Sequence, residues 1–205
     1  MRSYDQDSMI DELISMWIPK NSSALKAFKA VDRRYFVPDE YASSIYDDMP
    51  LPIWHGQTIS QPYTVAFMLE LLDVKKWNHI LDIGSWSGWT TALLAYICWN
   101  DWYVIWLEII PDLVDTWQAN LSKFNFKNAR IMQALPTLWI PWKKFDRILV
   151  SAAWDELDDN LLWQLNDWGI LVIPINYSIW KIVKIKEDNF EKREYPWFTF
   201  VPLIK

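Results

Sequence analysis

Apolar residues recur at helical spacing from the start of the chain. Met9, Ile10, Leu13, Ile14 and Trp17 share one face of residues 5–17, with Asp11, Glu12 and Ser15 between them, and predict an amphipathic helix. Asn21 or Ser22 can cap a second helix through Leu25, Phe28 and Val31. Between Phe36 and Gln61 the period is lost, and Pro38, Pro50 and Pro52 interrupt any regular element. That stretch predicts an ordered loop of a length often given over to function. Pro62 then opens a helix to Leu72, since proline suits a first turn whose amides have no helical partner.

From residue 79 the pattern changes to short β-rich runs at 79–83, 103–107, 129–133, 146–151 and 170–175, alternating with helical stretches at 89–97, 111–124 and 158–165. Such alternation predicts a parallel sheet covered by helices. Two further apolar runs, 179–185 and 198–203, flank a charged turn at 186–194 and predict an antiparallel pair at one edge. No repeat or low-complexity segment interrupts the pattern. The chain reads as one α/β domain over 1–205. A doubly wound, mostly parallel sheet spans 76–205, and a helical and loop extension precedes it over 1–75.

Composition narrows the partners. The 205 residues are 52% apolar and carry a net charge of -6, which suits one buried core and argues against a broad basic face for nucleic acid. The single cysteine, Cys98, excludes an internal disulfide and any cysteine-based zinc cluster, so a reducing compartment is expected. Asp5, Asp7, Asp11 and Glu12 stand where a signal peptide would carry positive charge, and no apolar stretch reaches the roughly 18 residues of a membrane helix. We therefore expect a cytoplasmic monomer that binds neither membrane nor nucleic acid.

The segment from Ile80 to Trp89 joins the first core strand to its helix, where open α/β sheets bind ligands. Gly84 and Gly88 allow close backbone approach, and Asp82 can accept from a ligand's amino or hydroxyl group or cap the following helix. Glu108, at the end of the second core strand, has the spacing of an acidic residue that holds a ribose; its other reading is a solvated strand end. His55 and His79 lack metal-ligand spacing, so no metal is expected. Cys98 reads as core packing, and the run Asp155, Glu156, Asp158 and Asp159 as a helix start.

Several motifs resemble one family. Leu51-Pro52-Ile53 followed by Gly56-Gln57-Thr58-Ile59-Ser60-Gln61-Pro62-Tyr63 is similar to the signature of the protein-L-isoaspartate O-methyltransferases. Arg34-Tyr35-Phe36-Val37-Pro38, the run from Phe145 to Ala153, and Phe200-Val201-Pro202-Leu203 resemble the same family in order. The resemblance implies a Rossmann-like class I methyltransferase fold. It implies methyl transfer from S-adenosylmethionine to the α-carboxylate of L-isoaspartyl residues in damaged proteins and peptides, leaving S-adenosylhomocysteine. The ester then closes to a succinimide that can reopen to aspartate. It further implies Ser60 as the active-site residue, Gln57, Thr58 and Ile59 along the cofactor and substrate cleft, and Glu108 on the ribose. Asp82, Gly84, Ser85, Ser87 and Gly88 would form the turn around the methionine moiety. Because the acceptor is already ionised at neutral pH, no strong base is needed, and Ser60 is expected to orient it, or to cap the helix beginning near Pro62.

Two departures stand out. The family's first motif reads G-x-G-x-G, and here the central glycine is Trp86; its glycine-aspartate-glycine after the third core strand is replaced by Ala134-Leu135-Pro136. If Trp86 obstructs the turn, a catalytically silent binding protein is the alternative; a nucleic-acid methyltransferase is disfavoured by charge and motifs. The chain holds 4 glycines and 16 tryptophans, where glycine averages about 7% of residues. Trp17, Trp54, Trp77, Trp86, Trp99, Trp102, Trp106, Trp139, Trp154, Trp168 and Trp197 stand at positions where the family commonly has glycine. Exchanging those eleven restores an ordinary glycine content. The expectation is that many are glycine codons read as tryptophan, UGA being glycine in some bacterial codes and tryptophan in others. If about half of those sites need positive φ, the strain of tryptophan there would be roughly 5–15 kcal/mol, as large as a typical domain's whole stability.

Overall fold

The computed structural model describes every residue except 1–4, 17, 19–21, 99–102, 110–113, 115–117, 120, 135–139, 141 and 204–205. Helix α1 (Gln6–Ser15) begins at Asp5, whose carboxylate accepts from the Ser8 amide at 3.0 Å, and it buries Met9, Ile10 and Leu13. Helix α2 (Ser22–Ala30) sets Phe28 edge-on against the Trp89 ring, centroids 5.5 Å apart. From Arg33 onward the chain holds three 3₁₀ turns, Arg33–Phe36 leading into the expected long loop and Asp39–Ser44 and Trp54–Gly56 within it, and a small antiparallel ribbon of β1 (Leu51–Pro52) and β2 (Thr58–Ile59). Helix α3 (Pro62–Leu72) follows, with proline in its first turn as predicted.

The main sheet takes β3 (Ile80–Ile83), β4 (Val104–Glu108), β5 (Ala129–Gln133), β6 (Phe145–Val150), β7 (Leu165–Ile175), β8 (Ser178–Lys186) and β9 (Asn189–Pro196) in the order β5-β4-β3-β6-β7-β8-β9. The first five are parallel, and β7-β8-β9 run antiparallel. Residues of β3 and β4 are buried on both faces, which is why they read as continuous apolar runs. Alternate side chains divide between two cores. Ile80 joins Phe28, Leu69 and Trp89 under α1–α4, where α4 is Trp89–Cys98; Leu81 and Ile83 join Phe145, Leu161 and Leu171 on the opposite face. The direction of strand addition reverses between β3 and β6, so a crevice opens at their carboxyl ends.

The sheet edge differs from expectation. Residues 186–194 form a tight turn at Glu187 and Asp188 and then most of β9, while 198–203 contributes only an isolated bridge from Pro202 to Ala153. Charge did not prevent a strand there because β9 is an edge, with nearly all its side chains exposed. Strand β7 begins five residues early, at Leu165, across a register shift between Phe145 and Arg147 of β6 that leaves residues 166–169 of β7 between the paired Leu165 and Ile170. The helix expected over 158–165 is the short α5 (Asp159–Trp163), and the one expected over 111–124 falls mainly outside the described residues.

Nine described non-glycine residues have positive φ. Five are His55, Asp73, Asn125, Asn176 and Glu187, four of them types that tolerate the left-handed region. The other four are Trp86 (46°), Trp142 (63°), Trp168 (64°) and Trp197 (75°). For a bulky side chain each such position costs roughly 1–3 kcal/mol.

Candidate active site

One wall of the crevice is organised by an arginine. The Arg33 side chain is wholly buried and donates to the carbonyl oxygens of Asp47 (3.3 Å), Met49 (3.0 Å) and Ser60 (3.1 Å), and also to that of Ile45. Its guanidinium lies 5.4 Å from the Trp89 ring centroid. Burial pulls its pKa down to about 10, partly offset by Asp48 and Asp47, so it stays charged at neutral pH. Asp48 completes the frame: one carboxylate oxygen accepts from the Tyr63 amide at 2.7 Å and the other from Gln61 Nε2 at 2.8 Å. Asp48 therefore satisfies the first turn of α3. Ser60 does not, because Gln61 occupies the N-cap position and makes no side-chain cap bond.

With its carbonyl fixed by Arg33, Ser60 lines a groove of about 280 Å³ together with Pro50, Thr58, Thr64, Ser151 and Val201. A neighbouring hollow of about 710 Å³ extends it past Tyr63, Phe67, Tyr195 and Phe198. Phe67 stacks on Phe198 at 5.2 Å and meets Tyr195 edge-on at 5.3 Å. Of the three residues before Ser60, only Thr58 faces this groove. Ile59 alternates into the core at 1% exposure, opposite Leu51, and Gln57 is buried with its amide directed to the His55 carbonyl at 3.4 Å. Neither lines this groove.

The turn after β3 forms the other wall. Asp82 is fully buried and faces α4, accepting from Thr91 Oγ1 at 2.6 Å and Thr90 Oγ1 at 3.2 Å. Burial raises its pKa to about 6, against the lowering effect of these hydroxyls. Ser85 shares a hydrogen bond with Thr90 at 2.5 Å, and Ser87 Oγ accepts from the Trp89 amide at 3.2 Å. Asp82, Ser85 and Ser87 thus hold the start of α4, the helix-securing role that the sequence left open for Asp82. Glu108 is 1% exposed, so it is no solvated strand end.

Gly84 and Glu108 line a cavity with Trp86, Leu107, Ala134 and Leu203. Its volume is about 10 Å³, the space of about one water. The Trp86 indole occupies this region: the residue is 2% exposed, and its Nε1 stands 3.4 Å from where a Cβ on Gly84 would lie. That Nε1 is buried without a hydrogen-bond partner among the described residues. Gly84, Trp86 and Gly88 have φ of 70°, 46° and 81°, so every second residue of the turn is left-handed.

A crevice at the reversal of a parallel sheet, a glycine turn after the first core strand and an acidic residue closing the next define a doubly wound, Rossmann-like fold with a ligand site at its switch point. The sequence profile of the protein-L-isoaspartate(D-aspartate) O-methyltransferases matches residues 4–205, and the chain belongs to that family of S-adenosylmethionine-dependent protein carboxyl methyltransferases. It is 35% identical over 201 residues to the protein-L-isoaspartate O-methyltransferase of Pyrococcus horikoshii, covering 95% of this chain and 90% of that one. To the Dictyoglomus thermophilum enzyme it is 38% identical over 189 residues, covering 90% and 84%. A Plasmodium falciparum protein-L-isoaspartate O-methyltransferase, crystallised with S-adenosyl-L-homocysteine, superposes with a TM-score of 0.86 at 27% identity and 98% coverage of both chains.

The residues at the turn do not fit that cofactor as the chain stands. Small-molecule clefts run to about 300–1,000 Å³, and the cavity beside Glu108 has about 10 Å³ because the Trp86 indole fills it. Of the Ala134-Leu135-Pro136 segment that replaces the family's glycine-aspartate-glycine after β5, residues 135 and 136 lie outside the described set. Arg33 and Asp48 were missed at the sequence level. The available signal for Arg33 was a charged residue following the apolar face of Phe28 and Val31 and preceding Phe36.

Proposed function

We infer that the chain carries out the reaction of its family, transfer of a methyl group from S-adenosylmethionine to the α-carboxylate of L-isoaspartyl residues, which begins the repair of damaged proteins. The observation that carries this reading is the family match over residues 4–205, joined to an open groove at Ser60. The cofactor supplies the methyl group; this chain's own residues have the task of holding the acceptor. A carboxylate is ionised at neutral pH, so it needs no general base, and no histidine lines the groove. What it needs is orientation and exclusion of water. We assign Ser60, which lines the groove, the role of donating one hydrogen bond to it, and the hydroxyl residues Thr58 and Thr64 share that lining. The aromatic hollow at Phe67, Tyr195 and Phe198 suits the flanking peptide. On the cofactor side, Gly84 and Glu108 are the residues of the sequence-derived set that face the closed cavity.

A silent binding protein is not favoured, given family membership along the whole chain. We read residues 1–205 as a single domain because α1 and α2 share one continuous core with α3, α4 and the sheet. Isoaspartyl-containing proteins and peptides are the partners; a net charge of -6 supports the absence of nucleic acid. Cys98, a buried free thiol donating to the Asn78 carbonyl at 2.7 Å, supports a reducing, cytoplasmic setting, and a monomer is the simplest assembly. Among the described residues no helix is long and apolar enough to cross a membrane. The test is methyl transfer by the protein isolated from its native host to an isoaspartyl peptide, compared with the same peptide carrying aspartate. Transfer to the first alone supports the reading; transfer to neither, or to RNA or DNA alone, overturns it.

A further inference from the structure

We propose that positions 86, 142, 168 and 197 are glycine in the protein as the cell makes it, the written tryptophans being UGA codons read with the wrong table. The backbone carries the argument without reference to activity. Only glycine takes left-handed φ without steric cost, and a bulky residue there is an outlier. Tryptophan nevertheless supplies four of the nine described non-glycine residues with positive φ. In the turn after β3, positions 84, 86 and 88 are all left-handed; the outer two are glycine and the middle one carries the largest side chain of the twenty.

Side-chain surroundings agree. Trp142 and Trp197 are 95% and 91% exposed, so their indoles contribute almost no packing in return for the strained backbone. Trp168 is 67% exposed and precedes Gly169 at the β6–β7 register shift. A Cβ at Gly169 would lie 2.7 Å from the Asn166 carbonyl oxygen, so this bulge already excludes one side chain. Trp86 is the reverse case, buried with an unbonded indole nitrogen in the cavity that Gly84 and Glu108 line.

The backbone also sorts the wider set suspected from composition. Of those eleven, the described residues Trp54, Trp77, Trp106 and Trp154 lie outside the left-handed region, and the proposal does not extend to them. It adds Trp142, which the comparison of motifs did not single out. The consequence at position 86 is functional: loss of the indole opens the cavity beside Glu108. That consequence rests on the methyltransferase reading; the identity of the residues does not.

The test is mass analysis of tryptic peptides from the native host. The peptide from Glu194 to Lys205 reports Trp197, that from Ile131 to Lys143 reports Trp142, and those from Trp77 to Lys123 and Ile148 to Lys181 report Trp86 and Trp168. Glycine at all four is expected, with UGA at those codons; tryptophan masses, or UGG codons, at positions 86 and 168 overturn the proposal. A second measurement titrates S-adenosylhomocysteine into the chain as written and into W86G. Saturable binding by W86G alone is expected, and equal binding by both overturns the obstruction at Trp86. Glycine masses with no methyl transfer by the native protein would defeat the functional reading and leave this proposal standing.

Discussion

On the acceptor side of the site, one buried guanidinium bonds four backbone carbonyls and leaves a groove of about 280 Å³ beside Ser60. On the opposite side, the turn after β3 leaves about 10 Å³ beside Glu108. The two regions differ in what their backbones require. The acceptor loop gains its shape from side-chain donors and acceptors, which many sequences can supply. The turn gains its shape from three left-handed residues, and there a single side chain decides whether a cavity exists. A site half made of glycine is therefore the half most easily closed.

Removing the arginine should break the acceptor side most severely. R33M leaves four carbonyls without their charged donor in a buried setting, and should lower unfolding stability by about 3–5 kcal/mol, read from denaturant midpoints. An unchanged midpoint would show that the loop holds itself. Next in size is S60A, measured in the W86G background. If Ser60 orients the acceptor, turnover should fall about 10–100-fold while cofactor affinity stays within a factor of two. Equal losses in both would contradict that role.

Asp82 gives a pH-dependent effect of similar size on the turn side. Its carboxyl titrates at about 6 when folded and near 3.9 when unfolded, so between those values the folded state binds more protons. The associated stability is complete below pH 4 and is lost as pH rises through 6, amounting to about 2–3 kcal/mol. D82N, which retains an acceptor for Thr90 and Thr91, should flatten that decline between pH 4 and 6. A wild-type slope persisting in D82N would assign the titration elsewhere. The smallest effects belong to the exposed strained sites. W168G and W197G should each stabilise by about 1 kcal/mol, relief of left-handed strain less the entropy of an added glycine; destabilisation by thermal melting would mean the indoles pack usefully.

The strands of the parallel sheet were legible because burial on both faces makes β3, β4 and the Ile148–Val150 end of β6 largely apolar runs, and α1 was legible because only one of its faces is buried. Strand β9 was not, since an edge strand with exposed charges on both faces has no period to read. Ser60 and Glu108 could be picked out by motif and spacing, and both line cavities in the crevice. Ile59 and Gln57 could not be assigned a direction, because the pairing of Leu51 with Ile59, which turns Ile59 inward, is invisible in a two-residue strand.

The order of apolar and polar residues along the chain determines the α/β alternation and the first helix, and the motifs around Gly56–Tyr63 carry the family resemblance, because period and motif are local properties of the chain. The closing of the turn by Trp86, the four-carbonyl hold of Arg33 and the capping of α3 by Asp48 were decided only by the tertiary structure. Each depends on groups that are distant in sequence being packed within a few ångströms, and on backbone angles that no residue chooses alone.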